Sequence, residues 1–326
     1  MTNAQRILLT GATGFVGSAV LRVLSKQSDY DVRIAVRSDM ADVIAQAYSV
    51  CKVGNFSSVT GWVEALSGVA CVIHMAGRAH VMKQEADALS LFRKVNTEAT
   101  LHLARQAIQC GVKRFIFVSS IGVNGAYTIG APFDELSPVT PYAEYAISKY
   151  EAECELQELC RASAMELVII RPPLVYAANA PGNFRRLLKL AATGLPMPFG
   201  CVENSRSLVA LENLVDFIVC CIGHPRAANE LFLISDGVDL STPDIVRYIG
   251  IGMGRRIKMF PVPVPVIRFM ANSVGKKNIF TQLCLSLSIN ATKARELLGW
   301  TPHITSQQAL INAGRTYIEI RKKINE

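Results

Sequence analysis

Short apolar runs alternate with longer stretches of helical periodicity through the first half of the chain. Residues 7–10, 32–36, 50–53, 71–74, 115–119 and 167–171 are nearly continuous in aliphatic, β-branched and aromatic side chains. Each predicts a strand buried on both faces. Between them, 18–24 and 85–110 carry apolar positions at helical spacing, the second stopping at Gly111, and 142–161 predicts a more polar helix. This strict alternation predicts a Rossmann-type, doubly wound parallel sheet with right-handed crossovers.

After Arg171 the pattern changes. Pro172-Pro173, Pro181-Gly182 and the Gly-Leu-Pro-Met-Pro of 194–198 cut the chain into short pieces, which predicts a cap rather than further βα units. Residues 231–234 predict one more strand returning to the sheet. The alternate prolines of 260–266 remove ladder donors, so this segment is expected to be extended or polyproline-like. At 326 residues the chain exceeds what one core usually serves. The expected division is a dinucleotide-binding domain over 1–172, to which 206–235 returns, and a smaller C-terminal substrate-binding domain from 173–205 and 236–326.

The turn between the first strand and the first helix reads Gly11-Ala12-Thr13-Gly14-Phe15-Val16-Gly17. Gly11 suits a tight turn, Gly14 lets backbone approach a pyrophosphate, and Gly17 lets the helix pack on the strand, with the helix N-terminus favouring negative charge. An acidic residue that binds the ribose of NAD is expected at the end of the second strand. Here that stretch is Val36-Arg37-Ser38. Arg37 suits the 2′-phosphate of NADP through charge-assisted hydrogen bonds, with Asp39 as a competing ribose contact.

Tyr145 and Lys149 lie four residues apart, hence on one helix face, where an ammonium is expected to depress the phenol pKa and make Tyr145 a proton carrier. Tyr48 and Lys52 share the spacing, but they fall where a strand begins. Ser120 ends the strand at 115–119, on the carboxyl edge where ligands of such folds bind, and its hydroxyl suits a hydrogen bond to a reacting oxygen.

Composition narrows the partners. Half the residues are hydrophobic and 18% are charged, which excludes a disordered chain. A formal charge of +8 and a pI near 9.1 admit nucleic acid, an anionic membrane surface or an anionic small substrate. The densest basic points, Lys276-Lys277 and Arg321-Lys322-Lys323, read as solvated faces, so no nucleic-acid partner is expected and the cleft takes the anion. Nine irregularly spaced cysteines without a CxxC pair predict free thiols in a reducing compartment, and with no leader or spanning segment the expectation is a cytoplasmic protein without an integral membrane segment. The five histidines form no ligand-spaced cluster, so no metal is expected.

Together these residues resemble the extended short-chain dehydrogenases/reductases that process nucleotide sugars. The resemblance spans nearly the whole chain and adds His74-Met75-Ala76-Gly77, Asn96, Ser119-Ser120 and Arg171-Pro172-Pro173 to the motifs above. It implies that Ser120 and Tyr145 contact the sugar oxygen that is oxidised or reduced and that Lys149 also holds the nicotinamide ribose. It further implies that Phe15, Val16, Ala76, Gly77, Asn96 and Pro172 line the cofactor and that Asn55 and Phe56 flank adenine, although the family more often has aspartate at Asn55. Gly182-Asn183-Phe184 and Arg206-Ser207-Leu208-Val209 are similar to the family's diphosphate-sugar segments, which makes Asn183 and Arg206 candidate substrate contacts. Many 4-epimerases of the family place a second arginine where this chain has 285–290, Leu-Ser-Leu-Ser-Ile-Asn.

The resemblance is nearest to bacterial surface-polysaccharide enzymes acting at C4 of UDP-N-acetylhexosamines. Two activities compete: NADPH-dependent reduction of a UDP-4-keto-6-deoxy sugar, which Arg37 favours, and 4-epimerisation with retained NAD. A dehydratase is disfavoured because only Ile121-Gly122-Val123 follows Ser120, with no acidic pair. An NADP-sensing protein without turnover is the non-enzymatic alternative, and a homodimer is compatible with the resemblance.

Overall fold

The continuous apolar runs become seven strands of one parallel sheet in the computed structural model, which describes residues 4–37, 48–57, 59–78 and 87–325. They are β1 (Gln5–Thr10), β2 (Tyr30–Val36), β3 (Ser49–Lys52), β4 (Cys71–His74), β5 (Arg114–Val118), β6 (Glu166–Arg171) and, after two short strands β7 (Leu174–Tyr176) and β8 (Leu208–Ala210), β9 (Glu230–Leu233). Their order is β3-β2-β1-β4-β5-β6-β9. The chain leaves β1 to one side for β2 and β3 and to the other for β4, which makes the β1/β4 boundary a topological switch point with its crevice at the carboxyl ends.

Alternation along each strand divides two cores. Ile7 and Leu9 of β1 face a cluster with Val20, Leu24, Leu214 and Ile218, from the helices Phe15–Leu24 and Leu211–Gly223. Leu8 faces the opposite side, with Trp62, Leu103, Leu156 and Phe115, under the helices Ala99–Gln109 and Glu144–Arg161. A strand clothed on both faces has no polar side to show, which is why these segments read as unbroken hydrophobic runs.

A third cluster lies outside the sheet. It joins Phe184, Leu188, Val246, Ile249 and Leu310 of the helices Gly182–Ala191, Thr242–Gly252 and Ser306–Asn325 with Tyr176 and Met197. β7 and β8 pair as a separate two-stranded parallel sheet. The helix expected over 85–110 divides in the structure. From Ala88 it is α-helical to Phe92, π-helical over Arg93–Glu98, and α-helical again to Gln109, while residues 85 and 86 lie outside the described part.

The expectation for 260–266 needs correction. Phe260 hydrogen-bonds Met197 as extended chain, but a helix runs over Val264–Ser273 with Pro265 in its first turn. Proline lacks a donor that the first turn does not use, so the third proline of the series starts a helix instead of preventing one. All nine cysteines are free.

Candidate functional site

Gly11 turns the chain at the end of β1 with φ +74°, and a Cβ there would stand 2.7 Å from the Ala76 nitrogen. Only glycine fits a left-handed turn pressed against the end of β4. A Cβ on Gly17 would meet the Gly11 oxygen at 2.0 Å, so the helix seats directly on the turn. Gly14 is the N-cap of Phe15–Leu24, without a side-chain cap or an acidic residue in the first turn. A Cβ on Gly14 would meet only the Gly11 oxygen, at 3.2 Å, which leaves the backbone beside it open to close approach. A bare helix N-terminus beside an open glycine backbone fits a dinucleotide pyrophosphate.

β5 delivers Ser120 to the same edge, where its Oγ accepts from the Gly122 amide at 3.1 Å. Tyr145 sits half-buried in the first turn of Glu144–Arg161, edge-on to Phe92 at 6.2 Å. One turn on, the buried Lys149 Nζ donates to the Val118 carbonyl at 3.0 Å and lies 4.3 Å over the Phe117 ring. Burial pulls Lys149 down to about 8 against the upward pull of Glu153. Burial also pushes Tyr145 up to about 12. Among the protein's own groups, desolvation of the phenolate outweighs the lowering expected of the ammonium, which is drawn to a β5 carbonyl and an aromatic face.

Tyr48 precedes β3 and Lys52 ends it, on an outer strand of the sheet, so the two do not stack on a helix turn.

A buried chain of polar groups fixes the loop after β4. Thr100 Oγ1 donates its single proton to the Asn96 carbonyl (2.8 Å), so it accepts from His74 Nε2 (2.9 Å). His74 Nδ1 then accepts from Thr10 Oγ1 (2.7 Å), which accepts from the Ala76 amide (3.2 Å). Burial holds His74 down at about 3, so the ring stays neutral and the direction of the chain is set. The fully buried Asn96 uses its whole amide: Oδ1 accepts from the Arg78 amide, and Nδ2 donates to the Arg78 carbonyl and to Ser148 Oγ. Ser148 Oγ in turn donates to the Tyr145 carbonyl at 2.8 Å. Asn96 thus ties the loop of Ala76 and Gly77 to the helix of Tyr145. A Cβ on Gly77 would lie 3.6 Å from Lys149 Nζ.

Behind Lys149 lies a buried ion pair. Arg171 at the end of β6 forks onto Glu153, with NH2 to Oε2 at 2.5 Å, and donates to Asn124 Oδ1 at 2.9 Å. The pair continues the face of Tyr145 and Lys149 by one more turn. Pro172 follows, its carbonyl accepting from the Ile121 amide beside Ser120. Glu153 and Asn124 were not singled out from sequence, although the four-residue step from Lys149 to Glu153 was there to see. Ser119 Oγ, buried at the same edge, has no partner among the described residues.

The outer candidates are more scattered. Arg37 is exposed directly after the buried Val36 of β2, and Asp39 lies outside the described residues. Asn55 is exposed, and Phe56 packs on Trp62 at 5.1 Å. Arg206 is buried, donates to the Leu285 carbonyl at 3.2 Å, and has no carboxylate partner among the described residues. Burial brings its guanidinium down to about 10, still charged at neutral pH, which suits an anion as the missing partner. Leu285 opens the stretch where the resemblance anticipates a second arginine. Asn183 donates to Gln282 and accepts from Arg186 at 3.1 Å. Among the described residues no cluster of His, Cys, Asp and Glu has metal-binding geometry, and no helix is long and apolar enough to cross a membrane.

Known proteins agree with this architecture. A Vibrio cholerae UDP-glucose 4-epimerase is 42% identical over 322 residues, 98% of this chain and 97% of its own. An N-acetyl-α-D-glucosaminyl-diphospho-ditrans,octacis-undecaprenol 4-epimerase of Escherichia coli O157:H7 is 26% identical over 318 residues, 93% and 92% of the two chains. The Thermotoga maritima UDP-glucose 4-epimerase structure with UDP-glucose shares the fold at a TM-score of 0.74 and 22% identity, covering 98% of this chain and all of that one. The model of the NAD dependent epimerase/dehydratase family matches residues 7–235, and the chain belongs to that family.

Proposed function

We propose that this protein carries out oxidation-reduction at C4 of a UDP-linked hexose or N-acetylhexosamine, and that its net reaction is NADPH-dependent reduction of a UDP-4-keto-6-deoxy-N-acetylhexosamine. The observation that carries the chemistry is the meeting of Ser120, Tyr145 and Lys149 with the glycine turn at one sheet edge. The nicotinamide supplies the hydride when bound. Tyr145 gives its phenolic proton to the C4 oxygen as the ketone becomes an alcohol, and Ser120 Oγ donates to that oxygen while charge develops. Lys149, held by Val118 and backed by Glu153, keeps a positive charge beside the ribose. A phenol near 12 is protonated at neutral pH, the state that a reduction consumes.

The sugar nucleotide is assigned to the unit formed by 173–205 and 236–326, with Arg206 on its diphosphate and Asn183 nearby. Phe15, Val16, Ala76, Gly77, Asn55, Phe56 and Pro172 are assigned to the cofactor. Arg37 favours NADP because a 2′-phosphate offers it a charged acceptor where NAD offers a hydroxyl. A second reading, 4-epimerisation with retained NAD, is favoured by the Vibrio cholerae relative, which matches along the whole chain.

Incubation with NADPH and a panel of UDP-4-keto-6-deoxy sugars and UDP-hexosamines tests the proposal. Stoichiometric loss of NADPH absorbance with reduced product is the expected result. Sugar interconversion without net loss establishes the epimerase, and cofactor binding without turnover of any sugar overturns both. Arg37→Ala is expected to weaken NADP binding roughly tenfold or more and to leave NAD nearly unchanged, as measured by titration of both.

A further inference from the structure

Charge is divided unevenly along this chain. Between Asp244 and Glu296 there are nine Lys and Arg and no acidic residue, against a net charge of +8 for the whole molecule, so the remainder is close to balance. In the middle of that stretch the helix Val264–Ser273 has no buried residue. Its Val264, Ile267 and Ala271 lean on the cluster that lies outside the sheet. The opposite face carries Val266, Phe269 and Met270 at helical spacing, with Val274 just beyond, and Phe269 is 73% and Met270 62% exposed. Arg268 lies on this helix, and Arg255, Arg256, Lys258, Lys276 and Lys277 flank it in sequence. None of the six forms an ion pair among the described residues.

We propose that this helix and its flanking cations dock the protein reversibly on an anionic lipid surface. An amphipathic helix with aromatic and aliphatic side chains outward and Lys/Arg beside them gains from both acyl chains and acidic headgroups. A nucleic acid would use the cations but gain nothing from Val266, Phe269 and Met270. A second copy of the chain would bury the apolar stripe but bring the same acid-free stretch against itself. The following helix, Lys277–Cys284, which begins at one of these cations, touches the candidate site: Tyr142 OH, three residues before Tyr145, donates to Asn278 Oδ1 at 3.0 Å, and Asn183 bonds Gln282. Docking therefore holds the mouth of the cleft near the membrane surface. This inference stands whichever C4 reaction the site performs.

Co-sedimentation of the full chain with vesicles of phosphatidylglycerol and phosphatidylcholine, and with phosphatidylcholine alone, tests it. Binding is expected only to the anionic vesicles, with release by salt. Lys276→Glu with Lys277→Glu, and separately Phe269→Ser with Met270→Ser, are each expected to lower it roughly tenfold or more. All four side chains are exposed, so thermal melting of the variants should match the parent. Absent binding, equal binding to neutral vesicles, or unchanged binding in both variants overturns the proposal. Light scattering that finds a dimer, converted to monomer by the Phe269 and Met270 changes with vesicle binding unaltered, assigns the face to a second copy instead.

Discussion

Behind Tyr145 the charges of Lys149, Glu153 and Arg171 are buried and held, whereas between 255 and 277 the charges stand in solvent beside exposed apolar side chains. Arg171 is 4% exposed and spends its guanidinium on Glu153 and Asn124; Lys149 is 2% exposed and pinned to Val118. Arg268 and Lys276, by contrast, are exposed and form no ion pair among the described residues. A buried network fixes the position of a few atoms and fails abruptly when one member is lost. An exposed cationic face acts as a sum of weak, salt-screened terms and degrades by increments. The two regions therefore predict two kinds of response to mutation.

The largest effect is expected behind the site. Arg171→Ala strands Glu153 as a buried unpaired carboxylate and should cost about 3–5 kcal/mol of stability, measured by denaturant unfolding. A loss near that of a surface arginine would break the contrast between the regions. Next comes Arg206→Ala, expected to weaken UDP binding by about 1.5–3 kcal/mol in a salt-sensitive way while NADP titrations stay normal. Calorimetry with UDP checks it, and an unchanged isotherm removes Arg206 from the diphosphate.

A smaller effect concerns pH. Folded Lys149 releases its proton near pH 8 and the unfolded lysine near 10.5, so between these values the unfolded chain binds more protons. Stability from this group should rise from pH 8 to 10 by about 2 kcal/mol. Above pH 10 Tyr145 opposes the rise, because its unfolded phenol ionises first. Lys149→Met should abolish the upward slope in melting curves taken across that window, and a slope equal to the parent's would show that Lys149 is not desolvated as the structure has it.

The sheet was legible because fully buried parallel strands leave continuous apolar runs, and the strands appeared within a residue or two of their expected bounds. Gly11, Gly17, Ser120, Tyr145 and Lys149 were legible because their chemistry is tied to short spacings. Asn96 was marked by resemblance as a cofactor residue, but its side-chain bonds hold the Arg78 loop against Ser148, a long-range pairing that no local pattern encodes. Helical spacing gave the shared face of Tyr145 and Lys149 but not where the long lysine stem ends. The prolines of 260–266 hid a helix start. Lys276-Lys277 read as a solvated pair, and both are exposed; the absence of acids between Asp244 and Glu296 is a longer-range feature than a basic run.

The central claim is that Tyr145, aligned with Ser120 and Lys149, moves the proton at the reacting sugar oxygen. Steady-state kinetics of Tyr145→Phe, with cofactor binding titrated in the same preparation, tests it most directly. The account predicts a fall in kcat of roughly 10²–10⁴ with cofactor affinity preserved, and little change for Tyr48→Phe. Near-parental kcat in Tyr145→Phe, or an equal fall in both variants, would contradict it.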